Sequence, residues 1–300
     1  MHSALLAHFT VPLPIAHCLL PHLLLTPQTL ASTSTGTLIA VAGVIGLVAG
    51  IVGGLAGIGG SIVMLPGLAL LLGYQDETRS EQHTYQAAAM MVNVLVAIPA
   101  ALRHRRESAI RLDIVKPLLP AMAVAVVIGV LLSNRLEGRA LSHILAVFVA
   151  AYCVIEIVKV IRRHPDQPAF DEPTSIKRQQ MFVIGALAGL AGGLLGVGGG
   201  VVMVPLLQIV ARVPLRAAIA ASATVMCFTA VIASSSKVAS LPSLGLPIAD
   251  ALILMAAMGP PAAVGAWFGA KLTHTLPVNT VRLVVSIILL AAAARLGGLL

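Results

Sequence analysis

Two stretches of this chain, Gly43–Pro66 (GVIGLVAGIVGGLAGIGGSIVMLP) and Ile184–Pro205 (IGALAGLAGGLLGVGGGVVMVP), are copies of one another. With the first shifted by 139 positions, 15 of the 25 residues from Val44 to Leu68 are identical to their partners. The shared glycines are Gly46/Gly185, Gly50/Gly189, Gly53/Gly192, Gly54/Gly193, Gly57/Gly196, Gly59/Gly198 and Gly60/Gly199; Met64/Met203 and Pro66/Pro205 close the match. Self-similarity at a fixed offset marks an internal duplication. Each half therefore carries a glycine-rich break at the same place.

The surroundings of the two copies set the class. Of 300 residues, 58% are hydrophobic and only 10% charged, against about 25% charged in a soluble domain. Mean hydropathy is +1.00. Long apolar runs without two-residue alternation imply spanning helices rather than a barrel, since lipid admits only these two solutions. The fold class is an all-α polytopic membrane protein. The net charge of +8 sits in short loops at the ends of apolar runs, a topology signal rather than a nucleic-acid footprint. Cys18, Cys153 and Cys227 stand far apart in apolar surroundings and read as small buried hydrophobes, not as a metal or redox motif. No metal site, nucleophile constellation or phosphate-cradling loop followed by Lys-Ser/Thr occurs, so neither an enzyme nor a cofactor-dependent protein is expected.

Along the chain, residues 1–36 contain four prolines and no Lys or Arg, and read as a poorly ordered extension without the basic start of a secretory signal. The first repeat, 37–161, holds five apolar segments: 37–57, 60–73, 86–102, 115–133 and 140–161. Residues 162–180, the most polar stretch, form an expected cytoplasmic linker. The second repeat, 181–300, repeats the pattern at 181–197, 200–211, 217–234, 247–270 and 279–296. If the first two segments of each half cross separately, each half has five crossings and the repeats are inverted. If they form one broken crossing or a re-entrant pair, the segment count suggests four crossings per half, eight spans and parallel repeats. Inverted repeats place 14 of the 19 Lys and Arg residues on one side, with only Arg79, Arg135, Arg139, Lys237 and Arg295 opposite, as the positive-inside rule favours.

The doubled glycine pattern closing on Met-x-Pro-x-Leu, at Gly50–Leu68 and Gly189–Leu207, resembles the TauE/SafE family of sulfite exporter membrane proteins. The resemblance covers about residues 37–296. It implies a multi-pass protein of the bacterial inner membrane that moves small anions such as sulfite, sulfonates or related organosulfur and carboxylate compounds. A small anionic substrate, the lipid bilayer and a coupling ion (H⁺ or Na⁺) are the expected partners; an anion channel is the alternative.

The residues suggest where such an anion would sit. Consecutive glycines disfavour helix by about 1 kcal/mol each, so the helix stops at Gly57–Gly60 and Gly196–Gly199. The helix that restarts presents backbone N–H groups without internal partners, and its dipole favours negative charge. Gly57, Gly59, Gly60, Ser61, Gly196, Gly198, Gly199 and Gly200 are accordingly the candidate substrate-binding residues, two facing breaks near the midplane. Gly46, Gly50, Gly54 and Gly185, Gly189, Gly193 recur at every fourth residue and read as helix-packing stripes. Polar residues within apolar segments complete the candidates: Gln86 and Asn93 in the first half, Ser222 and Thr224 in the second. Glu156, beside Lys159, reads as a paired, snorkelling carboxylate. His83 and Tyr85 border the outer end of their segment.

Overall fold

A computed structural model describes residues 35–74, 77–106, 111–161 and 178–272, and residues 286, 289, 290 and 293 of the last segment. The extension, the linker, most of the tenth segment, and the side chains of Glu156 and Lys159 lie outside the described residues. Among those described there are nine α-helices: α1 (Thr35–Ala56), α2 (Ser61–Leu71), α3 (Glu81–Arg106), α4 (Leu112–Ser133), α5 (Gly138–Ile161), α6 (Arg178–Leu195), α7 (Gly200–Ile209), α8 (Leu215–Ser240) and α9 (Ile248–Leu272). Six of them are long and apolar enough to cross a membrane, whereas α2 and α7 are short apolar helices.

The glycine stripes determine how the long helices meet. On α1, Gly46, Gly50 and Gly54 lie against the backbone of Met258, Ala262 and Ala266 on α9. On α6, Gly185, Gly189 and Gly193 lie in the same way against Leu118, Met122 and Val126 on α4. Both sets of numbers rise together, so each pair runs parallel. In lipid there is no hydrophobic drive between helices, and close backbone approach over small residues supplies the dispersion contact that holds them. The outward faces carry large apolar side chains, among them Val44, Val124, Val147, Leu187, Ile253 and Phe268, as helices solvated by lipid require.

Helices α3 and α8 form the centre. Burial reaches 61% in α3 and 72% in α8, but only 39% in α9. Alanines line the buried faces of both, Ala87–Ala89 on α3 and Ala217, Ala218, Ala220 and Ala221 on α8. The two run antiparallel: His83 near the start of α3 meets Lys237 near the end of α8. Both are longer than their apolar cores predict. The polar residues Gln82, His83 and Thr84, and Lys237, lie inside the helices and are buried. This corrects the reading of Lys237 as an external loop cation: it is wholly buried.

The short helices turn back. Gly60 approaches Ala49 and Gly67 approaches Ile45, so α2 returns antiparallel along α1. The turn into α3 is pinned by Tyr74, whose hydroxyl donates to Gln82 Oε1 at 2.7 Å, and by Tyr85, which donates to the Gly73 carbonyl at 2.8 Å. Burial pushes the Tyr74 phenol well above its ordinary range, so it stays a donor at any physiological pH.

The α1–α9 seam sets a test. A leucine at Gly54 would drive its Cβ into the Ala266 backbone, whose Cα lies 2.8 Å from that position. Gly54→Leu is expected to destabilise the protein by about 1–3 kcal/mol. Gly43→Ala, whose nearest neighbours lie at 3.8 Å, is expected to be neutral. Melting curves in detergent check both.

Candidate functional site

The two glycine breaks touch. A Cβ on Gly200 would lie 2.9 Å from the Gly57 carbonyl oxygen and 2.9 Å from the Ile58 Cα. Gly59 and Gly198 have φ of +80° and +78°, a left-handed backbone that side-chain-bearing residues rarely adopt. Above both glycines lie the same two side chains. A Cβ on Gly59 would meet Met226 Cε at 2.6 Å and Asn93 Oδ1 at 3.1 Å; one on Gly198 would meet Asn93 Nδ2 at 2.6 Å and Met226 Cε at 3.0 Å. Asn93 stands halfway along α3, and Met226 close to halfway along α8. The crossing of the breaks therefore lies at mid-height of the two central helices.

The polar side chains gathered here all have hydrogen-bond partners. The Gly60 N–H, at the start of α2, donates to Asn93 Oδ1 at 3.0 Å. Asn93 Nδ2 donates to Ser61 Oγ at 2.6 Å, and the Ser61 hydroxyl donates to the Ala89 carbonyl at 3.2 Å. Ser222 donates to the Gly57 carbonyl at 2.6 Å, tying α8 to the first break. Gln86 Nε2 donates to the Leu194 carbonyl at 3.2 Å, tying α3 to the second. A crevice bounded by Met90, Asn93, Val126, Gly198, Thr229 and Ala230 has no room for a water molecule. Among the described residues, this crevice is closed to water.

The structure thus brings Gly57, Gly59, Gly60, Ser61, Gly196, Gly198, Gly199, Gly200, Gln86, Asn93 and Ser222 to one place. Gly196 joins through Gln86, whose side chain packs against it, and Gly199 through Met122. Thr224 stays apart. It is half-buried and donates to the Ala220 carbonyl of its own helix at 2.7 Å, and two residues from Ser222 it points about 200° away around α8. The residue missed in the sequence is Met226. A Cβ on Gly57 would meet Ile219 and one on Gly196 would meet Gln86, so Gln86 and Ile219 are counterparts at an offset of 133, and so are Asn93 and Met226. The offset drops from 139 because the α7–α8 connection is shorter than the α2–α3 one.

In this protein, helices of membrane-spanning length surround two facing helix breaks, which defines a multi-pass membrane protein built on an internal glycine crossing. The model of the family described as sulfite exporter TauE/SafE matches residues 42–296, and the chain belongs to that family of membrane transporters. It is similar to the probable membrane transporter protein MamO of Magnetospirillum gryphiswaldense, with 27% identity over 78% of this chain and 41% of that protein. It resembles MamO of Paramagnetospirillum magneticum in the same way, with 27% identity over 78% of this chain and 40% of that protein. The chain spans about two fifths of the length of these curated relatives. No solved structure matches it.

Asn93 holds the crossing together, which can be measured. Asn93→Leu leaves the Gly60 N–H without its acceptor, and is expected to cost about 1–3 kcal/mol of stability. Thr224→Val, away from the crossing, is expected to shift stability by less than about 0.5 kcal/mol. Paired thermal denaturation of the two variants discriminates; equal losses would show that the crossing has no special weight.

Proposed function

We propose that this protein is a secondary transporter of a small oxyanion, of the class of sulfite or an organosulfonate, working by alternating access around the glycine crossing in the bacterial inner membrane. The observation that carries this reading is the meeting of two unwound segments at mid-height of α3 and α8, where Asn93 and Met226 pack against both Gly59 and Gly198. Irregular backbone at membrane depth is tolerated where it serves a cavity, and helix N-termini facing such a cavity favour anions. The family's description as sulfite exporters and the relatives' description as membrane transporters support the same class.

Asn93 Oδ1 occupies, in this closed state, the place that an anion oxygen takes on binding. It is a neutral acceptor on the Gly60 N–H, and an oxyanion makes a stronger, charge-assisted bond to the same donor. Once displaced, Asn93 can turn its Nδ2 toward the anion, and Ser61 can rotate its hydroxyl to donate. Met226 is unbranched and leaves without breaking a strong hydrogen bond. The occluded crossing favours a carrier over a permanently open channel.

The halves are read as inverted repeats. α6 runs opposite to α1, α8 opposite to α3 and α9 opposite to α4, and an in-and-back pair such as α1–α2 adds no net crossing. Re-entrance therefore goes with an odd number of crossings in each half, not with the parallel arrangement that counting segments suggested. The end of α3 bearing Arg103, Arg105 and Arg106 is then cytoplasmic. Gly59→Leu and Gly198→Leu are expected to abolish sulfite flux in proteoliposomes while the protein still inserts. Flux at the wild-type rate in either variant would sink the proposal.

A further inference from the structure

Lys237 is a fully buried lysine that the glycine crossing does not use. Its Nζ lies 2.9 Å from His83 Nδ1, 2.8 Å from Ser133 Oγ and 2.9 Å from Asn134 Oδ1. The hydrogen-bond directions fix what these contacts are. The Ser133 hydroxyl is spent on Gln86 Oε1 at 3.0 Å, so its oxygen accepts from Lys237. His83 Nε2 faces the Leu136 carbonyl at 3.2 Å, which assigns the proton to Nε2 and leaves Nδ1 as an acceptor. Asn134 offers a carbonyl oxygen. Three acceptors require three N–H donors, and only the ammonium form has them. Among the described residues no carboxylate pairs with it. A buried charge is ordinarily matched by an opposite one; here the cage is neutral and the positive charge remains uncompensated.

Two members of that cage, His83 and Asn134, also line a cleft of about 290 Å³ whose other walls include Thr78, Ser80, Arg135 and Glu137. Arg135 and Glu137 are exposed and of opposite sign, so water screens them and they largely offset one another. His83 and Asn134 stand between the Lys237 Nζ and this opening, and low-dielectric walls focus a buried charge toward such an opening.

From the cleft, a single track leads inward. On α3 the residues are His83, Gln86, Met90 and Asn93; on α8 they are Lys237, Ala233, Thr229 with Ala230, and Met226. Steps of three and four keep each set on one helix face. Met90, Asn93, Thr229, Ala230 and Ala233 bound the same narrow crevice that ends on Gly198. Ten residues of helix make the track about 15 Å long. Lys237 is also linked to the second break through Ser133, Gln86 and the Leu194 carbonyl.

We infer that the cleft above His83 and Asn134 is a second, peripheral anion site, the mouth of the route to the glycine crossing, and that the buried Lys237 ammonium supplies the charge that draws a small oxyanion into it. The role as a mouth rests on the transport reading above; the attraction of anions does not. The bond between the Lys237 cage and Gln86 gives an anion in the mouth a physical connection to the break at Gly196.

The test places a thiol in the cleft, with Thr78→Cys in a protein whose Cys18, Cys153 and Cys227 are replaced by alanine. Its reaction rates with sulfonatoethyl and trimethylammonioethyl methanethiosulfonate report the local potential. Lys237→Gln is expected to lower the anionic-to-cationic rate ratio roughly tenfold, and millimolar methanesulfonate, an oxyanion inert toward these reagents, is expected to slow labelling only when Lys237 is present. An unchanged ratio overturns the inference. Should Lys237→Gln fail to fold, the Lys237 protein decides alone: a preference for the anionic reagent that fades as salt rises supports the site, and equal rates or a cationic preference at low salt contradict it. A Lys237-dependent ratio together with normal flux in Gly198→Leu would keep the anion site and refute the crossing. Lost flux in Gly198→Leu with a ratio indifferent to Lys237 would do the reverse.

Discussion

The structure depends on how an interrupted helix satisfies its backbone away from water. An unpaired amide in hydrocarbon costs several kcal/mol, so a break at mid-height has to bring its partners with it. Here they come from the central helices. Asn93 accepts from the Gly60 N–H, Ser222 donates to the Gly57 carbonyl and Gln86 donates to the Leu194 carbonyl. Those partners are on hand only because α3 and α8 pass directly beside the breaks. Their alanine-rich faces and the glycine stripes of α1 and α6 allow that approach.

The same constraint gives the crossing its chemical character. The Gly60 N–H is held by a neutral acceptor on a side chain that can move, so an oxyanion reaching it would exchange that hydrogen bond for a stronger, charge-assisted one. The two halves contribute unequally. Asn93 and Met226 occupy counterpart positions, yet one binds by strong hydrogen bonds and the other by dispersion and a weak bond from Ser222 to its sulfur. Ser61, which bonds to Asn93, has Gly200 as its counterpart in the other half, where no hydroxyl exists. Lys237 breaks the symmetry further, since its counterpart at the same offset is the buried His104.

Much of this could be read from the amino acids because it is written in local patterns. Glycines at every fourth position announce packing, and consecutive glycines announce a break. The helix positions followed from the apolar runs to within a few residues, except where buried polar residues extended α3 and α8. Met226 was not legible, because a methionine in an apolar segment carries no polar signal and the repeat offset changes between the break and α8. Thr224 was misplaced for a related reason: two residues apart on a helix are on opposite faces, and only the correct register shows which one turns inward. Lys237 lies beyond the apolar run, where the sequence alone reads as a loop, and only the contacts with His83, Ser133 and Asn134 mark it as buried.

The most direct test of the glycine crossing as the anion site is a crystal structure grown with selenite, a heavier analogue of sulfite, using the anomalous signal of selenium. The account predicts a peak between Gly59 and Gly198, with Asn93 Oδ1 withdrawn from the Gly60 N–H. Selenium bound elsewhere in the membrane region, with the Asn93–Gly60 bond intact, would contradict it.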